Sequence, residues 1–553
     1  MITEYSLSNF KAFAAEQRVK LKPITLVYGQ NSSGKSSLLQ SLLLLKQTLA
    51  SSENPETLLL PKGNLVDLGG YREFINAHDV RKPFIFEVRL PVPKGEQFLP
   101  RLILSALDSL QVTYLALRVE MVHNELSAAA KLGGLSLFLG AENQAVMTFK
   151  SEPIKTKHRY PHRFAFSGPS SGTGVAESGL RLSNINSQHP FFSALWEVVR
   201  TTLQPEVLKD LQKRRDFLTN RLERLRPPEL VDIEDSAKRP VEKRLERELK
   251  SVVSTMEKLK GYSLKEAVSD IEKNIAKTFL VCRNFLPVGL VREEGYDLRG
   301  FFGHLEYAPG VGHELAFIPA LVVVAANLLQ SALENTIYIG PLRDYPERHY
   351  IFSGNLSEQV GKSGKMVPDV LFKRRDLLDQ VNQQLEAFGL GYELKVSSVN
   401  DLDSDLQDVF ALRLFDKRTQ IHASILDVGF GISQVLPIIV QSMLSKNKTL
   451  IIEQPEIHLH PKLQADLGTL IATCSKEPFS NQFIIETHSQ HLILRLQKLV
   501  RQGKLMPEDV SIIYVDRSAE GSICVELRLD NDGDFIDKWP QGFFEEGYNE
   551  IFS

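Results

Sequence analysis

An α/β fold with an inserted antiparallel helical hairpin is predicted by three observations on the 553-residue sequence. An apolar, β-branched run, Ile24-Thr25-Leu26-Val27-Tyr28, leads through a Gly/Ser-rich loop into the helix-forming run Ser37 to Leu45. Two further apolar runs, Thr449 to Ile452 and Phe483 to Ile485, end on polar tips as buried parallel strands do. Between roughly Gln204 and Lys277 the spacing changes from strand-like to heptad-like, with two helical stretches around a Pro-Pro break.

The loop between the first strand and helix reads Gly29-Gln30-Asn31-Ser32-Ser33-Gly34-Lys35-Ser36 and completes the pattern GxxxxGK[ST]. Such a loop turns successive backbone N–H groups around an anion, and the helix N-terminus behind it adds its dipole. Lys35 is placed to reach the β- and γ-phosphates of a nucleotide, and Ser36 to offer its hydroxyl to Mg²⁺. Gly29, Asn31, Ser33, Gly34 and Ser37 complete the expected cradle.

Bulk composition limits the remaining classes. The length exceeds a single core, so several lobes are expected. A composition that is 43% hydrophobic and 24% charged, with net charge −3, is that of an ordinary globular protein and gives no global signal for nucleic acid. Cys282, Cys474 and Cys524 are far apart without metal-ligand spacing, and no apolar run approaches a membrane span. With no signal peptide read at the N-terminus, the expectation is a cytoplasmic protein that does not enter a membrane.

Along the chain, residues 1–200 are read as the first part of the head, 201–280 as the helical insertion, and 281–553 as the second part. Residues 53–144 suggest alternating strands and turns, including Pro83 to Leu90, and Gly168 to Gly174 reads as an exposed loop. In the insertion, Leu208, Leu211, Leu218, Leu222 and Leu225 follow heptad spacing with Arg215 at one seam position. After Pro227-Pro228, a second helix is expected from about Pro240, with Leu245, Leu249, Val252, Met256 and Leu259 on its seam. Short basic runs at Lys155–Arg163, Lys213-Arg214-Arg215 and Lys373-Arg374-Arg375 read either as solvated faces or as nucleic-acid contacts, the first carrying an aromatic for stacking.

Three later motifs narrow the chemistry. In Thr449-Leu450-Ile451-Ile452-Glu453-Gln454-Pro455-Glu456, the carboxylate of Glu453 at a strand tip suits the metal side of a phosphate site, because Mg²⁺ keeps several waters and takes few carboxylates. His458 and His460 follow, but their spacing lacks the second ligand cluster a zinc site needs. In Asp427-Val428-Gly429-Phe430-Gly431-Ile432-Ser433-Gln434, a glycine-rich turn opens a helix and forms a second anion-binding start. One nucleotide cannot use both starts on one face of one subunit, so Gly431, Ser433 and Gln434 are expected to meet the nucleotide of a second copy. In Phe483-Ile484-Ile485-Glu486-Thr487-His488-Ser489, His488 falls where a histidine can sense the γ-phosphate.

This order of motifs resembles the ABC-type ATPases of the RecF, SMC and OLD group. Asn9-Phe10-Lys11 resembles the end of that group's first strand, which implies that Asn9 and Lys11 lie near the nucleotide base. The segment Tyr338 to Pro346, the Glu-Gln-Pro-Glu motif and the tail Trp539-Pro540-Gln541-Gly542-Phe543-Phe544 resemble the PtuA-like ATPases of Septu-type and retron-associated antiphage systems. The resemblance implies an ABC-type P-loop head of two lobes with mixed sheets, and ATP and Mg²⁺ as cofactors. It implies a homodimer or higher oligomer joined head to head, with Ser433 and Gly431 acting across the interface. It also implies a separate HNH nuclease partner, and in retron versions a reverse transcriptase with its nucleic acid. OLD nucleases carry a nuclease domain after the ATPase; about 65 residues follow His488 here, so the expectation is that no nuclease is visible in cis.

One position departs from the family. The residue after the metal-side carboxylate is ordinarily a glutamate that polarises water, and here it is Gln454. An amide orients water but accepts no proton, so slow hydrolysis is expected unless Glu456 supplies the carboxylate. Two alternatives stay open, an SMC- or RecF-like ATPase acting directly on DNA and a scaffold with permanently bound ATP.

Overall fold

The fully buried strand Ile24–Gly29 lies inside a sheet and not at its edge, and its neighbours decide which residues meet the phosphate loop. The computed structural model describes residues 1–50, 58–95, 99, 101–125, 129–140, 144–153, 178–225, 238–261, 263–266, 269, 278–292, 320–354, 357–398, 408–429 and 431–539. The basic run 155–163, the loop 168–174, Pro227-Pro228, Phe430 and the tail from Pro540 lie outside them. Two compact units result, one of Met1–Val88, Val122–Lys131 and Leu329–Ser553, the other of Arg89–Met121 and Leu132–Leu328.

In chain order the elements begin with β1 (Glu4–Ser8), β2 (Gln17–Lys20), β3 (Ile24–Gly29), α1 (Lys35–Ala50), α2 (Tyr71–Phe74) and β4 (Phe84–Pro91). Next come α3 (Arg101–Ser109), β5 (Tyr114–Asn124), β6 (Ala129–Leu139), β7 (Met147–Pro153), β8 (Ser178–Ile185), α4 (Pro190–Val198), α5 (Gln204–Leu225), α6 (Lys238–Gly261), β9 (Thr278–Arg283) and β10 (Leu286–Arg292). The chain continues with α7 (Ala320–Glu334), β11 (Thr336–Ile339), β12 (Tyr350–Ile351), α8 (Val367–Lys373), α9 (Arg375–Ala387), β13 (Tyr392–Ser398), β14 (Val409–Asp416) and β15 (Ile421–Ser424). Last are α10 (Gly431–Leu444), β16 (Thr449–Glu453), α11 (Pro461–Cys474), β17 (Gln482–Glu486), α12 (Gln490–Arg501), β18 (Val510–Ser518) and β19 (Gly521–Leu527).

The first unit is built on a sheet ordered β11-β16-β17-β3-β18-β19, parallel except for β19. Every residue of β3, β11, β16 and β17 is buried, as expected for parallel strands covered on both faces. Register places Glu453 opposite Glu486, and Glu486 opposite Val27, so three strand tips align at the carboxyl edge where α/β sheets bind ligands. Gln482 fixes the opposite end, its amide donating to the carbonyls of Ile2 and Leu21 while its carbonyl accepts from the Thr449 hydroxyl. A second, antiparallel sheet orders β12-β14-β13, with β15 also on β14, and packs the stacked pair Phe372 and Phe410.

In the second unit an antiparallel ladder runs from β6 through β7, β8 and β9 to β10. Where the sequence suggests strands and turns over 53–144, α3 forms a helix instead, because Leu102, Ile103, Ala106 and Leu107 gather on one buried face. Helices α5 and α6 lie antiparallel, with Gln204 at the start of α5 donating to the Leu259 carbonyl near the end of α6, and Arg214 paired with Glu248. Their buried seam is Val207, Leu211, Leu218 and Leu222 against Leu245, Val252, Met256 and Leu259. The basic triplet of α5 is spent on neighbours, Lys213 on Asp210, Arg214 on Glu248 and Arg215 on Asp216. No helix among the described residues is long and apolar enough to cross a membrane.

Candidate nucleotide site

The phosphate loop fills the turn between β3 and α1, and two glycines are required by its shape. Gly29 has φ +146°, and a Cβ there would lie 2.3 Å from the Val515 carbonyl oxygen. Gly34 has φ +107°, and a Cβ would lie 3.0 Å from that of Ala12. Ser33 is buried while Gln30, Asn31 and Ser32 are not, and the Ser33 carbonyl accepts from the Ser522 hydroxyl at 2.5 Å. Lys35 is 4% exposed and folds back on the loop, its Nζ donating to the Gln30 carbonyl at 2.6 Å. Burial holds its ammonium below the usual range, partly opposed by the charges of Glu486 and Glu456. Ser37 follows on α1, half-buried.

The carboxylate beside Ser36 is Glu486. Ser36 Oγ donates to Glu486 Oε1 at 2.9 Å, while Glu486 Oε2 is buried without a hydrogen-bond partner. Glu453 sits one strand further from the loop and accepts from the Tyr338 hydroxyl at 3.0 Å. Burial, then the charge of Glu486, pushes the Glu453 carboxyl up to about 7. Glu486 is raised in the same direction by burial, against the pull of Ser36 and Lys35. The donor set, one hydroxyl and two strand-tip carboxylates with one oxygen left orphaned, fits a hydrated divalent cation. Such a cation would supply Lewis-acid neutralisation of phosphate charge.

Past β16 the chain turns sharply. Gln454 adopts φ +44°, and its N–H donates to the Glu486 carbonyl at 2.8 Å. Arg343, only 5% exposed, clamps the same turn, its Nη2 donating to the carbonyls of Glu453 at 3.0 Å and Gln454 at 3.4 Å. Its Nε and Nη1 are buried with no hydrogen-bond partner, and burial pushes the guanidinium down to about 10. Glu456 does not stand free as a base. It accepts from the Thr487 hydroxyl and from the His488 backbone N–H, both at 2.7 Å, so it braces the segment that carries the histidine. The His488 carbonyl accepts from the Tyr28 hydroxyl at 3.1 Å, and burial together with the charge of Lys35 favours the neutral imidazole.

Other expected site residues are placed differently. Both amide hydrogens of Asn9 are used on the carbonyls of Lys82 and Pro83, and the side chain is 5% exposed. Lys11 Nζ donates to Gln40 Oε1 on α1 at 2.7 Å. At the start of α10, Gly429 is exposed and Gly431 half-buried, whereas Ser433 and Gln434 are turned inward at 8% and 2% exposure. A Cβ on Gly431 would lie 3.1 Å from the His458 carbonyl oxygen, so this helix start packs on the loop that follows the acidic turn. His460 caps α11, its ring nitrogen accepting from the Lys462 N–H at 3.3 Å. In the 373–375 cluster, Lys373 lies over the Phe352 ring and Arg374 pairs with Asp376.

Sequence reasoning assigned no role to Glu486, Arg343, Tyr338 or Thr487. The signal for Glu486 was present, since an acid closing an apolar strand is the same pattern that singled out Glu453. The signal for Arg343 was absent, because burial of an arginine after Gly-Pro-Leu is decided by packing.

Residues 352–493 match a family described as an AAA ATPase domain, and residues 505–553 match a family described as a protein of unknown function, DUF3696. No curated protein matches the chain. Among solved structures it is similar to the SmcHead bound to the C-winged helix domain of ScpA, at 9% identity over 96% of this chain and 98% of that one, with a TM-score of 0.38. It is also similar to the Smc head domain with an extended coiled coil bound to the C-terminal domain of ScpA from Pyrococcus furiosus, at 12% identity over 95% and 96%, with a TM-score of 0.34. The SMC head domain from Thermotoga maritima overlaps at 9% identity over 96% and 99%, again with a TM-score of 0.34. Likeness this loose carries no argument about activity.

Proposed function

We propose that the protein is an ATP-binding switch with slow hydrolysis, a regulatory ATPase whose nucleotide state controls a separate effector. One arrangement carries this reading. Lys35 and Ser36 of the loop, Glu486 at the neighbouring strand tip, and His488 braced by Glu456 converge at the carboxyl edge of a parallel sheet. Slow turnover follows from Gln454, an amide at the position after the strand-tip carboxylate, and from Glu456 being committed to two hydrogen bonds. The turn that leads into α10, where Gly429 is exposed, is the surface through which a second copy would close on the nucleotide. The finer assignment, control of an HNH nuclease in antiphage defence with or without a reverse transcriptase and its DNA, rests on the resemblance of the sequence at residues 338–346, 453–456 and 539–544.

Two measurements test the switch. Turnover of the purified full chain is expected well below roughly 10 s⁻¹, the ordinary enzyme median, with ATP binding lost in Lys35→Ala. Gly429 has open space where a Cβ would sit, so Gly429→Arg is expected to block ATP-dependent dimerisation in sedimentation while the monomer still binds ATP. Turnover at or above the median would overturn the switch, and a dimer unaffected by Gly429→Arg would overturn the interface.

A further inference from the structure

Glu486 is a buried charge with few partners. Its residue is 2% exposed, one oxygen takes a single hydroxyl donor and the other takes none. A buried carboxylate with so few donors costs several kcal/mol unless something else neutralises it. Its register partner across β16 and β17 is Glu453, a second buried carboxylate, so the two repel. A role as a strut for Ser36 does not account for the charge, because the neutral oxygen of a glutamine would accept the same hydrogen bond. The Lys35 ammonium eases the charge, but its hydrogen bond goes to the Gln30 carbonyl and Glu486 Oε2 stays orphaned, which leaves that oxygen for a cation.

We propose that Glu486 is the protein's carboxylate contact to the divalent cation of the bound nucleotide, sharing that cation with Ser36, while Glu453 stands behind it. Strand order supports the division of labour. Strand β17 separates β16 from β3, so Glu486 lies beside the phosphate loop and Glu453 lies one strand away, with Tyr338 on one of its oxygens. The proposal rests on the ATP-binding reading and assigns its metal side to a residue of the histidine segment. Because His488 is two residues further on, cation and γ-phosphate sensing would then fall on one short stretch of chain.

The test is ATP affinity of the full chain by calorimetry, with MgCl₂ and with EDTA, alongside Mn²⁺ binding by electron paramagnetic resonance in the presence of ATP. Wild type is expected to bind ATP more tightly with Mg²⁺. In Glu486→Gln the Mg²⁺ enhancement is expected to fall about tenfold or more, the scale of one lost charged contact. Metal-free affinity should hold or rise, since a negative charge beside the triphosphate is gone. Glu453→Gln is expected to lose less of the enhancement, and Mn²⁺ binding should follow the same ranking. Should Glu486→Gln fail to fold, Glu486→Asp is read instead, with reduced Mg²⁺ enhancement expected from its shorter reach. Full enhancement in the Glu486 variant, or equal loss of affinity with and without Mg²⁺, would overturn the proposal and leave ATP binding standing. Absence of ATP binding by the wild type would overturn the ATP reading itself.

Discussion

Arg343→Met separates the stability of the fold from the alignment of its site. The guanidinium makes one good bond, 3.0 Å to the Glu453 carbonyl, and a longer one of 3.4 Å to that of Gln454. A charge-assisted bond of this kind contributes roughly 1.5–3 kcal/mol. Against it stands burial, which lowers the guanidinium from 12.5 to about 10. At ~1.4 kcal/mol per pKa unit, that shift costs about 3 kcal/mol. The two orphaned nitrogens, Nε and Nη1, are the structural face of the same cost. Methionine fills the space of the stem without a charge, so the two contributions nearly cancel. The melting temperature of the nucleotide-free protein should stay within about 4 °C of wild type or rise, at about 2 °C per kcal/mol for a large unit. Turnover should nevertheless fall about tenfold or more, because the Gln454 turn at φ +44° loses its clamp and a small misplacement at a reacting centre is costly. Arg343→Ala should melt lower than Arg343→Met, since it also leaves a cavity. A large drop in melting temperature for Arg343→Met with turnover intact would refute both halves of the reasoning.

Gln454→Glu should raise ATP turnover by about a hundredfold, the lower end of what a positioned general base contributes; unchanged steady-state hydrolysis would show that this position does not limit the rate. Glu453 also predicts a pH dependence. With its carboxyl at about 7 in the fold against 4.5 unfolded, its stabilisation is complete below pH 4.5 and is lost as pH rises through 7. The loss is about 3 kcal/mol. Melts of nucleotide-free protein in EDTA should therefore show Glu453→Gln flattening the pH profile between 4.5 and 7, and an unchanged profile would locate the titration elsewhere.

Much of the first unit was legible because its signals are local. Ile24 to Leu45 carries strand, loop and helix in one stretch, and Gly29 and Gly34 are where the backbone needs them. The helical spacing of 204–259 likewise gave α5 and α6, although Val207 and not Leu208 opens the buried seam. For other polar residues the sequence gives the chemistry and the structure gives the direction. Asn9 looked free to approach a base but ties β1 to Lys82 and Pro83, and Ser433 looked available at a helix start but faces inward. Composition says which groups can hydrogen-bond, and only packing says with whom.

By itself, the sequence determined the phosphate loop, the apolar strands that end in Glu453 and Glu486, and the amide at Gln454. Each of these depends on residues within one turn or strand of one another. Tertiary structure alone decided that β17 lies between β16 and β3, and hence that Ser36 meets Glu486 at 2.9 Å. It also decided that Arg343 is buried under the acidic turn and that Glu456 braces His488. Those contacts join residues far apart in the chain, the nearest pair being Glu456 and His488. At such separations the order of parallel strands sets the neighbours, and no local propensity encodes that order.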